Sequence, residues 1–230
     1  MAITGRRFKD EIFEQFARIG KAVASAKRIE LLELLSQGEC HVEALAKSAS
    51  TSVANASQHL QILRAARLVE TEKSGVFVTY RLADPSVAEF VRQLRMLAEK
   101  RLVEIEQTAR TFIEGRIGFN PVDQHELLRR VRNGEVTVLD VRPEEEFRSG
   151  HLPRALCVPL ESLEARMKDF SKEREIVAYC RGPYCVLAVE AVARLRKKGF
   201  RAVRLDMGIP DWQAQGLPVE QGDEAKAVHN

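Results

Sequence analysis

Tyr179-Cys180-Arg181-Gly182-Pro183-Tyr184-Cys185, YCRGPYC, ends the apolar run that begins at Ile176 and places two thiols five positions apart. Three readings are open from these residues: Cys180 as a nucleophile in an anion-binding loop, Cys180 and Cys185 as half of a metal site, or both as packing thiols. The flanks decide the fold. Upstream, Val136 to Arg142 is an apolar run of buried-strand type; downstream, Leu187 to Lys198 has helical spacing and Ala202 to Leu205 is a third strand-like run. Strands alternating with helices predict a doubly wound α/β sheet, whose sites lie at the carboxyl ends of the strands. Cys180 stands at such an end, just before a helix. A backbone that curls from strand to helix points N–H groups inward as an anion nest, and the helix dipole adds to it. A thiol there is expected to be driven toward thiolate, with Arg181 adding positive charge and Gly182 and Pro183 allowing the tight turn. A zinc site lacks ligands, since Cys-x4-Cys has no second pair and His151 alone completes nothing.

Four stretches occur in order: VLDVR (138–142), EEFRSGHLPRA (145–155), VAYCRGPYC (177–185) and LDMGIPDWQAQGLPV (205–219). Together they resemble the successive motifs of rhodanese sulfurtransferases, over residues 122–220. The resemblance implies that Cys180 accepts a sulfane sulfur as a persulfide and yields it to a thiol. Arg181, Gly182, Pro183, Tyr184 and Cys185 would form the substrate-binding loop, whose amides stabilise the terminal anion. It also implies a structural ion pair of Asp140 with Arg142 supporting the loop, a supporting His151 and a core Trp212. Arg154 and Met207 replace glycines usual in the pattern, Cys157 replaces an asparagine, and Cys185 takes a place often held by arginine. A second thiol in the loop opens the alternative that Cys185 resolves the persulfide or forms a disulfide with Cys180. Related loops that grip oxyanions, in phosphatases and arsenate reductases, are longer and end in arginine.

The first half has a different pattern. Phe8, Ile12, Phe13, Phe16 and Ile19 recur at helical spacing, as do Ile29, Leu32 and Leu35. A short helix from Val42 to Lys47, a turn at Ser48 to Thr51 and a helix from about Ser52 to Arg67 form a helix-turn-helix. Leu68 to Glu72 and Val76 to Leu82, separated by Lys73-Ser74-Gly75, form a hairpin. The element order and SQHLQILRAARLVE resemble the winged-helix repressors of the arsenic-repressor (ArsR-type) family over residues 10–112. The expected fold is therefore a mainly α winged helix-turn-helix followed by an α/β rhodanese-like parallel-sheet domain.

A helix in the major groove presents its first turns to base edges. Ser52, Asn55 and Gln58 share one face and are expected at bases, Ser57 and His59 at phosphate or the groove edge, and Lys73, Arg81 and Arg64 at the backbone. His59 as a packing residue is the alternative. A single long helix from Ser86 to about Glu114, with Phe90, Leu94 and Leu97 on its stripe, is expected to pair with the first helix in a homodimer reading half-sites of a duplex DNA operator. Some family members bind metal through Cys-x-Cys; here those positions hold His41 and Glu43, with Cys40 one place early, so no metal site and no cofactor are expected.

Domains are expected at 1–114, 122–220, a linker at 115–121 and a tail at 221–230, two units being natural for 230 residues. Net charge is only +3, yet residues 1–28 carry seven Lys or Arg against three acids. No apolar run approaches the ~18 residues of a membrane span. The N-terminal stretch has no continuous apolar segment of signal-peptide type, and four cysteines suit a reducing cytoplasm. The combined reading is a cytoplasmic regulator that couples reactive sulfur, from a sulfane donor to a thiol acceptor, to gene control. An active sulfurtransferase with constitutive DNA binding, or an arsenic- or oxyanion-responsive repressor, are the alternatives.

Overall fold

The computed structural model describes residues 4–74, 77–118 and 122–223. The chain divides into two compact units between Gln93 and Leu94. In the first, α1 (Gly5–Val23) starts at Thr4, whose hydroxyl accepts from the Arg7 amide. It is followed by α2 (Ala26–Leu35), β1 (Cys40–His41), α3 (Val42–Ser48), α4 (Val53–Ala65), β2 (Val69–Ser74), β3 (Phe77–Leu82) and the first half of α5 (Pro85–Arg101), whose second half belongs to the other unit. Leu31, Leu32, Leu45, Leu60 and Leu63 are wholly buried and fix α2, α3 and α4 around one core. The α3–α4 turn passes through Ser50 at a positive φ of 49°. The β2–β3 register pairs Val69 with Leu82 and Lys73 with Val78. β1 adds Cys40 opposite Tyr80 on the other edge of β3, a pairing that a two-residue strand does not announce in sequence. The expected turn residue Gly75 and the start of the second strand at Val76 lie outside the described residues.

The long helix expected from Ser86 to Glu114 is instead broken. α5 ends at Arg101, Leu102 is extended with φ −118° and ψ 97°, and α6 (Val103–Ile117) begins anew. The charges explain the break: Lys100 and Arg101 occupy the last turn of α5, and Glu104 and Glu106 the first turn of α6, each complementing its helix dipole. Phe112, Ile113 and Ile117 then pack into the core of the second unit. This differs from the expected boundary, because α6 runs through Gly115 and stops only where Gly118 takes a φ of 67°. Residues 119–121 of the expected linker and 224–230 of the tail lie outside the described residues.

The second unit continues with α7 (Gln124–Arg132), β4 (Val136–Asp140), α8 (Glu144–Ser149), β5 (Leu156–Cys157), α9 (Leu163–Arg166), β6 (Glu175–Tyr179), α10 (Val186–Lys197), β7 (Ala202–Arg204) and α11 (Ile209–Ala214). Four parallel strands lie in the order β5-β4-β6-β7. Each face is covered by a separate apolar cluster, as a parallel sheet requires. α10 packs its alanines and valines on one face; α7 and Trp212 of α11 lie in the cluster on the other. Chain order reverses between β4 and β6, so the crevice at their carboxyl ends is the topological switch point.

Candidate functional site

Alternation along β6 determines where the thiol goes. Ile176, Ala178 and Cys180 turn to the α10 face, while Val177 and Tyr179 turn to the other. Cys180 is only 1% exposed, and its Sγ lies 3.5 Å from the Cys185 carbonyl oxygen. The backbone amides of Gly182 and Ala188 are directed at this sulfur, the second from the first turn of α10. Two amides of the strand-to-helix bend thus face Cys180.

The ionisation runs opposite to the sequence expectation. Burial pushes the Cys180 thiol well above its ordinary value, and the facing Cys185 reinforces the shift. Cys185 is the group held down, to about 7, first by the hydrogen bond from the Cys180 thiol, then by the Arg181 and Leu187 amides and the Arg181 charge. Arg181 is also less open to an anion than expected: its Nε lies 3.0 Å from both Glu146 oxygens and its Nη2 2.6 Å from Oε1. This ion pair is itself mostly shielded, with side-chain exposures of 12% and 16%.

Three further contacts fix the loop. The Pro183 carbonyl accepts from Arg204 Nη1 at 2.9 Å, and the Tyr184 hydroxyl donates to Glu99 Oε1 at 2.8 Å. At Gly208 a β-carbon would lie 1.9 Å from the Arg181 carbonyl oxygen, so only glycine lets the segment before α11 pass under the loop. Glu146, Arg204 and Gly208 were missed in the sequence reading. Gly208 alone had a signal, as a glycine just before a helix that bears the core tryptophan.

Asp140 and Arg142 form a fully buried pair, Nη2 to Oδ2 at 2.6 Å. Tyr179 donates its hydroxyl to Asp140 at 2.5 Å and accepts from the Leu152 amide, while Arg142 reaches the Gly150 carbonyl at 2.6 Å. The cluster ties β4, β6 and the end of α8 together, and α8 in turn supplies Glu146 to Arg181. His151 is buried, stacks on Phe147 at 3.7 Å and lies 2.9 Å through Nδ1 from the Phe147 carbonyl. Trp212 is 1% exposed and donates to the Pro218 carbonyl. Arg154, in a glycine's usual place, has a φ of 59°, which accounts for the usual glycine.

In the first unit, Ser52 caps α4 by accepting from the Asn55 amide at 3.2 Å. Ser52, Asn55 and Gln58 are exposed, one turn apart; Ser57 and His59 are half-buried. His59 Nδ1 is buried with no hydrogen-bond partner among the described residues. On the wing Lys73 is exposed, and Arg81 is engaged by Glu70 at 2.9 Å across the hairpin. Cys40 packs at the edge of the core and His41 Nδ1 lies 3.1 Å from Thr79 Oγ1. Among the described residues no three His, Cys, Asp or Glu come together as metal ligands.

A winged helix-turn-helix followed by a parallel sheet with a thiol loop at its switch point defines a transcription regulator with an appended α/β domain. Residues 25–71 match the family of bacterial regulatory proteins of the arsR type, and residues 123–215 match the rhodanese-like domain. The HTH-type transcriptional regulator Rv0324 of Mycobacterium tuberculosis is 39% identical over 214 residues, covering 93% of this chain and 94% of its own. A sulfurtransferase of Allochromatium vinosum is 33% identical over 102 residues, 44% of this chain and 94% of its own. A homodimeric winged helix-turn-helix DNA-binding domain from Mycobacterium bovis, solved in solution, is 37% identical over 44% of this chain and 94% of that one, with a TM-score of 0.41. The chain belongs to the arsR family of bacterial regulatory proteins, in the form that carries a C-terminal rhodanese-like domain.

Proposed function

We propose that the protein carries sulfane sulfur on Cys180 and that the sulfur-loaded state changes its affinity for a duplex DNA operator. The observation that carries this reading is the pair of amides, from Gly182 and Ala188, aimed at a cysteine sulfur at the sheet's switch point. Preorganised amides lower the cost of negative charge on a persulfide without reorganisation, which favours sulfur on Cys180 over free thiol. The sulfur comes from a sulfane donor and leaves to an acceptor thiol. Asp140 and Arg142 position the loop through α8, with His151 bracing that helix from Phe147. The closed dimensions of the Arg181–Glu146 pair argue against a tightly held oxyanion, and so against arsenate as the effector.

On the DNA side Asn55 and Gln58 read base edges, Ser52 orders the helix start, Ser57 and His59 line its edge, and Lys73 and Arg81 meet phosphates. The exposed apolar face of α1, with Phe8, Phe13 and Phe16 at 58–64% exposure, supports a homodimer. Such a regulator works in the cytoplasm, where its operator is. Among the described residues no helix is long and apolar enough to cross a membrane.

Operator affinity of the wild type and a Cys180→Ala variant, with and without a sulfane donor, tests the reading. The donor is expected to shift the wild type alone. Sulfur turnover by the wild type with no shift in either protein would make it a sulfurtransferase with constitutive DNA binding.

A further inference from the structure

A pocket of about 580 Å³ opens between α6 and the start of α10. Ile105, Ala109, Phe112 and Ile113 form one wall, Val186 and Val189 the other, and Cys185 opens onto it. No lysine or arginine is among the described residues that line it, whereas Glu104 is. Cys180 is not among them and is 1% exposed. A molecule entering here therefore meets Cys185 before Cys180.

We propose that Cys185 is the loading thiol of this loop: it takes the sulfane sulfur from an organic hydropersulfide whose apolar body fills the α6–α10 pocket, and passes that sulfur to Cys180 for storage. This rests on the reading of Cys180 as the sulfur carrier. The donor class follows from the walls. Thiosulfate is a dianion and needs a cation, but Arg181 is held by Glu146, position 185 is not an arginine, and Glu104 repels an anion. An apolar body instead removes apolar wall from water.

In the first step the Cys185 thiolate attacks the outer sulfur of R-S-SH. A bond forms between Cys185 Sγ and that sulfur, the donor's S-S bond breaks, and the donor leaves as R-S⁻, which takes the persulfide proton to become R-SH. Cys185 then carries S-S⁻. In the second step the Cys180 proton passes to the outer sulfur of Cys185-S-S⁻, the Cys180 thiolate so formed attacks that sulfur, the Cys185–sulfur bond breaks, and the persulfide proton passes to the departing Cys185 sulfur, which leaves Cys180-S-S⁻ and Cys185-SH. No oxidant or reductant is consumed. The arrangement suits both steps: Cys185, near 7, is the effective attacking thiol at neutral pH, and Cys180 holds the proton that the second departure requires.

The reduced full-length chain is mixed with benzyl hydropersulfide or with thiosulfate, and sulfur is located by mass spectrometry after alkylation. Trypsin cuts after Arg181, so the two thiols fall on separate peptides. The wild type is expected to load from the hydropersulfide and not from thiosulfate, ending with sulfur on Cys180. Cys180→Ser is expected to retain sulfur on Cys185, and Cys185→Ser to lose loading while keeping the wild-type melting temperature. Ala109→Phe, which fills the pocket, is expected to slow loading from benzyl hydropersulfide about tenfold or more and to leave loading from the small donor hydrogen disulfide unchanged. Wild-type loading of Cys180 in Cys185→Ser overturns the relay while leaving Cys180 as a direct acceptor; a Cys180–Cys185 disulfide in place of stored persulfide overturns it as well. Equal loading from thiosulfate overturns the donor class. Sulfur on neither thiol in any variant overturns the carrier reading itself.

Discussion

Two thiols in one loop divide their acidity by depth. Cys180 lies at the end of a buried strand, where a thiolate would lose its hydration, while Cys185 receives a hydrogen bond from Cys180, two amides and the field of Arg181. At neutral pH the reactive anion is expected on Cys185. Under limiting iodoacetamide, Cys185 should be alkylated first, at a rate that rises with pH and levels off above about 7. In Cys180→Ala the inflection should move up, because the donating thiol is gone; peptide mapping checks both. The sign for stability follows: a depressed acid stabilises the fold above its ordinary value of 9.0, and that contribution is lost as pH falls through about 7. The position of Cys180 at a strand end was legible from the apolar run before it. Its ionisation was not, because burial depth and the Glu146 that occupies Arg181, 35 residues upstream, leave no local trace.

At the level of elements, strong periodicity was readable and its interruptions were not. The recognition helix α4, the hairpin, β4, β6 and α10 stand within a few residues of their expected places, because each has an apolar face or run that fixes it. The break at Leu102 was overlooked because the apolar stripe continues through it. Its mark is in the charges: Lys100-Arg101 closes one helix and Glu104 to Glu106 opens the next. The winged unit carries its own prediction. Asn55→Ala and Gln58→Ala are each expected to cost about 1–3 kcal/mol of discrimination at one base position. Lys73→Ala is expected to weaken binding to all sequences alike and to reduce the salt slope by about 1. Fluorescence anisotropy against operator and scrambled duplexes, over a range of salt, separates the two.

For the whole molecule, α1 carries an unsatisfied apolar surface. Phe13 and Phe16 are each 64% exposed, with their rings edge to face at 5.7 Å, a large apolar display for a chain alone in water. If the proposed homodimer forms through this face, Phe13→Asp combined with Phe16→Asp is expected to yield a monomer in sedimentation and to weaken operator binding, since each half-site would then be held singly. The depth of Cys180 bears on time. An atom held where solvent does not reach is removed only as fast as the surrounding loop opens, whatever the concentration of reductant outside. A brief pulse of donor would then leave a mark that outlasts it, and the regulator would respond to recent history rather than to the instantaneous level.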